Sequence, residues 1–122
     1  MADFNEIAKQ FVAHYYTTFD TDRKNLAPLY REGSMLTFQS DQLMGAASIG
    51  EKLAGLPFTK VVHKYDRTDA QPTPSGILIV VAGQLLVDDG EQPLSYTQTF
   101  LLAQDPSGSY YVQNDIFNLV VF

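Results

Sequence analysis

In a 122-residue chain without cysteine, the two histidines and the carboxylates are the first groups to weigh for chemistry. His63 is the more suggestive histidine, set between valines in "KVVHKY", where strand alternation would turn its ring inward. An imidazole there could act as a general base or as a polar contact inside a pocket. A core histidine with satisfied hydrogen bonds is the plainer alternative. Asp66, Asp69 and Asp115 are the carboxylates that could face it. His14, within "AHYY", reads as a partly buried helix residue rather than a ligand. Two isolated histidines lack the spacing of a ligand set, so no metal is expected. No serine elbow, P-loop or glycine-rich dinucleotide fingerprint occurs. The other concentration of chemistry is "VDDGEQ", where Asp88, Asp89 and Glu91 place three acids in four residues after a long apolar run. Asp-Gly favours a tight turn, and charged hairpin tips are common. The same acids on a rigid strand end could instead dock Lys or Arg of a partner and steer its approach.

These residues need elements to hold them. Phe4, Ile7, Ala8, Phe11, Val12, Tyr15 and Phe19 recur at spacings of three and four, which predicts a long amphipathic helix capped by Asp3 or Asn5. "LAPLYREG" predicts a short helix with Pro28 near its start and Gly33 at its end. Met35–Phe38 and Gln42–Met44 predict a hairpin turning at Ser40-Asp41. "AASIGEKLAGLPF" predicts a further helix with Ile49, Leu53 and Leu56 buried, ended by Gly55 and Pro57. The rest is β-rich. "KVVHKYDRTDAQ" alternates, "PTPSG" is a loop, and Ile77–Val87, Leu94–Ala103 and Ser109–Val121 are long strands linked by "DDGEQP" and "QDPSG". Helices first and antiparallel strands afterwards give an α+β class. Strands 77–87 and 109–121 are apolar on both faces in places, yet helices can cover only one face of the sheet. A second copy of the chain is the simplest cover for the other, so a dimer through the open sheet face is expected.

Length and charge narrow the roles. One domain over 1–122 is expected, burying roughly two-thirds of its unfolded surface. The net charge of −6, from 14 acids against 8 Lys and Arg, argues against a nucleic-acid backbone or an anionic membrane as partner. Lys60, Lys64 and Arg67 are too thin a basic set, and a basic protein partner fits better. The acidic opening lacks the form of a signal peptide, and the run 77–87 is shorter than the ~20 residues a membrane span takes. A soluble intracellular protein is expected.

Five segments carry a resemblance: "FVAHYYTTFDTDRKNLAPLY" (11–30), "SMLTF" (34–38), "GEKLAGLPFTKVVH" (50–63), "DAQPTP" (69–74) and "YYVQNDIFNLV" (110–120). In order and collinear from end to end, they resemble the nuclear transport factor 2 family, its fungal members above all. The resemblance implies a cone-shaped fold, a strongly bent antiparallel sheet wrapped around a long N-terminal helix plus two shorter helices. It implies a homodimer built sheet to sheet, with Val80, Thr99 and Ile116 matching interface residues. It implies no catalysis and no cofactor, but a carrier that takes the GDP-bound form of the small GTPase Ran into the nucleus. Such a carrier works between cytoplasm, nuclear pore complex and nucleus, and binds FxFG repeats of pore proteins.

The family's Ran site is an apolar cavity that accepts a Phe side chain, rimmed by acids. Phe38 matches the aromatic at its mouth, His63 a cavity histidine and Asp88 a rim aspartate. The second rim acid falls at Gly90 in direct register, or at Glu91 if the loop shifts by one; Asp89 could substitute. Gln39 stands where animal members have Glu. Phe4 matches the aromatic of the FxFG site, bordered by Pro74 and Ser75. Two other functions belong to similar folds: an isomerase or dehydratase using the cone cavity, and a heterodimeric mRNA-export subunit. An enzyme would place a carboxylate facing His63 inside the cavity, whereas a carrier would keep an open apolar pocket with acids outside it.

Overall fold

The computed structural model describes residues 3–56, 60–88, 90 and 92–120. Helix α1 (Phe4–Thr21) opens at Asp3, whose carboxylate accepts the Asn5 N–H at 2.9 Å. It buries Ala8, Val12, Tyr15, Tyr16 and Phe19, the predicted stripe with Tyr16 added. His14 falls outside that stripe and is exposed, not partly buried as its sequence suggests.

The next element differs from expectation. A 3-10 helix runs from Arg23 to Leu29, with Pro28 near its end rather than its start. Asp22 starts it early, since its carboxylate accepts from Lys24 N and Asn25 Nδ2. Tyr30 is extended (φ −110°, ψ 164°), pairs with Val112, and donates its hydroxyl to buried Asp115 at 2.7 Å. Strand β1 therefore begins there (Tyr30–Phe38) and is followed by β2 (Asp41–Met44). The hairpin turns at Gln39-Ser40, one residue before the predicted turn, and Asp41 pairs with Phe38. Helix α2 (Ala46–Ala54) buries Ile49 and Leu53 and ends at Gly55; Pro57 lies outside the described residues.

Four strands complete the sheet: β3 (Val61–Thr73), β4 (Gly76–Val87), β5 (Leu94–Gln104) and β6 (Tyr110–Leu119). The order is β2-β1-β6-β5-β4-β3, antiparallel except where β1 lies parallel to β6. The predicted 72–76 loop shrinks to a Pro74-Ser75 turn. Bulges interrupt β3 between Tyr65 and Arg67 and the β5–β6 ladder between Leu101 and Leu102, and bulges bend and twist a sheet. Gly83 sits opposite the first, where a Cβ would lie 2.6 Å from Tyr65 Cα, so only glycine lets the bent strand approach. The curved sheet wraps α1, and the core between them includes Val12, Tyr15, Ile79, Val81, Phe100 and Leu102. This is the expected α+β cone. Among the described residues no helix is long and apolar enough to cross a membrane.

Candidate functional site

At the end of the sheet where β3, β4 and β6 meet the last turn of α1, the inner face is hollow. Alternation supplies residues in i, i+2 pairs: Val61 and His63 from β3, Leu85 and Val87 from β4, Phe117 and Leu119 from β6. Phe19 closes the α1 side, Phe38 the β1 side, and Leu56 and Leu94 complete the wall. The cavity measures about 210 Å³. An apolar cavity of about 150 Å³ already admits a benzene ring. Phe38 stands over the β6 wall, stacked on Phe117 at 4.8 Å and 13°. Lys52 Nζ lies 5.7 Å from the Phe38 ring centre and pairs with Asp41 at 2.8 Å.

His63 is both a satisfied histidine and a cavity residue. Its side chain is 2% exposed, and its Nδ1 lies 2.6 Å from Asp20 Oδ1. Its backbone N–H donates to Asp20 Oδ2 at 3.0 Å. The ring stacks on Tyr16 at 4.3 Å and meets Phe19 edge-on at 4.9 Å. Asp20 is not among the three carboxylates that the sequence singled out. The available signal was its spacing at the edge of the α1 stripe, four residues after Tyr16 and next to Phe19, the two helix residues whose rings meet His63.

Neither Asp69 nor Asp115 is in the cavity wall. Asp69 is exposed and lies 3.6 Å from Arg67, and the side chain of Asp66 is outside the described part. Asp115 is 1% exposed in a separate polar cluster. It accepts from Tyr30 at 2.7 Å, Tyr15 at 3.3 Å and Gln98 at 2.8 Å, while Tyr16 donates to the other end of Gln98 at 2.8 Å. Burial pushes its carboxyl up to about 6, and the Gln98, Tyr30 and Tyr15 hydrogen bonds oppose that rise. Burial also holds the Tyr15, Tyr16 and Tyr30 hydroxyls above their ordinary range, so they remain protonated donors. Among the described residues no cluster of His, Cys, Asp and Glu could hold a metal ion.

The rim begins one residue past Val87. Asp88 is exposed, its N–H donates to Lys60 O at 2.8 Å, and its carboxylate accepts Lys60 N–H at 3.1 Å. Gly90 N–H donates to Val87 O at 2.9 Å, closing a tight turn. Asp88 has φ 50°, a conformation that Asp tolerates. Asp88 thus follows a cavity-lining residue and stands in a turn; Asp89 and Glu91 lie outside the described residues. Gln39 flanks the opposite side, its Oε1 accepting Leu119 N–H at 2.7 Å.

The other predicted residues lie elsewhere. Phe4 is half-buried and packs against the core at the start of α1. Pro74 and Ser75 form the exposed β3–β4 turn, beside a depression that Gln104 and Tyr110 share and Phe4 does not line. Val80, Thr99 and Ile116 form one row across β4, β5 and β6 on the face away from α1. Val80 is 41% and Ile116 45% exposed.

A bent sheet around one long helix, with an apolar cavity at its open end, defines the nuclear-transport-factor-2-like class. The family pattern described as the nuclear transport factor 2 domain matches residues 7–119. The chain is 62% identical over 120 residues to nuclear transport factor 2 of Neurospora crassa, covering 98% of this chain and 97% of the relative. The structure of nuclear transport factor 2 from Cryptosporidium parvum superposes with a TM-score of 0.91 at 42% identity, covering 96% of this chain and 94% of that one. A putative scytalone dehydratase from Novosphingobium aromaticivorans, at 13% identity and a TM-score of 0.80, shares the fold alone; 99% of this chain and 89% of that one are covered. The chain belongs to the nuclear transport factor 2 family.

Proposed function

We propose that this chain is a nuclear transport carrier that binds GDP-bound Ran at the cavity and FxFG nucleoporin repeats near Phe4. It works as a homodimer moving between cytoplasm, nuclear pore complex and nucleus. The observation that carries the reading is the 210 Å³ apolar cavity bordered by the Asp88 turn. Burying a Phe side chain there contributes about 1.5–3 kcal/mol. Asp88, with Asp89 and Glu91 beside it in sequence, would meet basic residues of the GTPase and orient it. Selectivity for the GDP form requires a switch segment that presents its Phe in that state alone. Weak contacts with many FxFG repeats would give pore partitioning through avidity while allowing rapid release.

The carrier reading is favoured over an enzyme by the cavity itself. Its lining is apolar apart from His63, the one ionisable lining residue among the described ones. The row Val80–Thr99–Ile116, exposed at Val80 and Ile116, supports self-association through the outer sheet face. Ile116→Glu should yield monomers in sedimentation, because an unpaired charge in an apolar interface is costly; a persistent dimer would place the interface elsewhere. Wild-type chain that sediments alone as a monomer would point instead to a heterodimeric subunit. The central test is a pull-down with Ran loaded with GDP or GTP. Capture of the GDP form alone is expected, and equal capture or none would refute the reading.

A further inference from the structure

The β1–β2 hairpin turns through Gln39 and Ser40, whose φ angles are 52° and 87°. A two-residue loop with two positive φ values is a mirror-image turn, which favours Asn-Gly because other side chains clash there. Gln and Ser have neither advantage, and strain of this kind calls for a compensating contact.

The contact is with β6. Gln39 N–H donates to Phe117 O at 3.1 Å, continuing the parallel ladder one step beyond the Phe38–Phe117 pair. The next rung should run from Leu119 N–H to the Gln39 backbone carbonyl. That N–H is instead taken by the Gln39 side-chain carbonyl at 2.7 Å. The main chain has turned into the hairpin, and the side chain stands in for it. Phe117 and Leu119 form the β6 wall of the cavity, whereas Gln39 is not part of its lining. On the other side β6 is held by β5, through the Tyr96–Leu119 pair and the Val120 N–H bond to Ser95 O at 2.9 Å.

We propose that Gln39 is a positioning residue of the binding cavity, holding the Phe117–Leu119 wall against β1 through its side-chain carbonyl. The inference rests on the reading of the cavity as a site for an aromatic group. What the position needs is an acceptor of this length in a left-handed residue, and a negative charge is dispensable. Gln39→Glu keeps an acceptor. Gln39→Gly removes it while relieving the backbone strain, so it separates wall positioning from general stability.

The test compares wild type, Gln39→Glu and Gln39→Gly by amide hydrogen exchange at Leu119 and Val120, thermal melting, and affinity for two probes, Ran-GDP and benzene. In Gln39→Gly, Leu119 exchange should rise at least tenfold, Val120 protection and the melting temperature should hold, and affinity for both probes should fall about fivefold. Gln39→Glu should match wild type in exchange and bind Ran-GDP no more weakly. Unchanged Leu119 exchange in Gln39→Gly, or faster exchange with undiminished affinity, would overturn the proposal. If wild type takes benzene but not Ran-GDP, the partner assignment fails and the benzene comparison still decides the role of Gln39. If it takes neither, both readings fall.

Discussion

Two regions of the same inner sheet face, two residues apart along the strands, do opposite things. At one, Asp115, Gln98, Tyr15 and Tyr30 fill the space with polar groups whose hydrogen bonds close on one another. At the other, Phe117 stands two residues beyond Asp115 with Phe19 and Phe38 around it, and the space is left open as an apolar cavity. Tyr16 touches both, donating to Gln98 on one side and stacking on His63 on the other. A buried polar cluster must be complete, since a missing partner strands its neighbours, and it therefore fixes geometry. An apolar hollow leaves no polar group unsatisfied and admits any ring of suitable size. The polar cluster holds the fold, and the hollow beside it is free to bind.

If that division is right, damage to the two regions separates cleanly. The largest effect belongs to Asp115→Ala, which leaves the Tyr30 and Gln98 donors buried without their acceptor. Roughly 4 kcal/mol of stability should be lost in urea denaturation. Ran-GDP affinity of the molecules that remain folded should be unchanged; a selective loss of affinity would merge the two regions.

The next effect is in pH. The Asp115 carboxyl moves from 3.8 to about 6 on folding, so the folded chain holds its proton more tightly than the unfolded chain. Its contribution to stability is complete below about pH 4 and is lost as pH rises through about 6. Between those limits wild type should lose roughly 3 kcal/mol relative to Asp115→Asn, which cannot ionise. Parallel pH profiles for the two proteins would show that Asp115 does not titrate in this window.

Asp88→Asn should have the smaller effect and the opposite signature. The amide oxygen can still accept the Lys60 N–H, so stability should hold. Ran-GDP affinity should fall about fivefold at low salt, about 1 kcal/mol, mainly through slower association. Unchanged affinity at every ionic strength would remove the rim from the account.

The regular elements were legible because they obey a period. The α1 stripe and the alternation in β4, with Ile77, Ile79 and Val81 inward and Val80 outward, follow directly from the order of residues. What escaped depends on contacts distant in sequence. Asp20 meets His63 across 43 positions. The hairpin turns at Gln39 because β6 holds that residue 80 positions away. Tyr30 leaves the expected helix to pair with Val112, 82 positions away, with its hydroxyl on Asp115. The cavity is harder still, since Leu85, Val87 and Phe117 look like any core residues. The hollow comes from how far bent strands stand apart, which no residue type records. Phe38 was placed near it by the family resemblance alone, whereas strand alternation had already turned His63 inward and the acid cluster had already marked Asp88.

On the proposed function, the hollow receives an aromatic side chain of the GDP-bound GTPase. Val87→Phe tests it most directly, because Val87 lines the cavity beside the Asp88 turn and a larger side chain there would occupy the space. Calorimetric titration of Ran-GDP into this variant, with dimer and melting temperature checked in parallel, should show affinity reduced by more than tenfold in a folded protein. Undiminished affinity in a folded Val87→Phe chain would mean that the GTPase binds elsewhere.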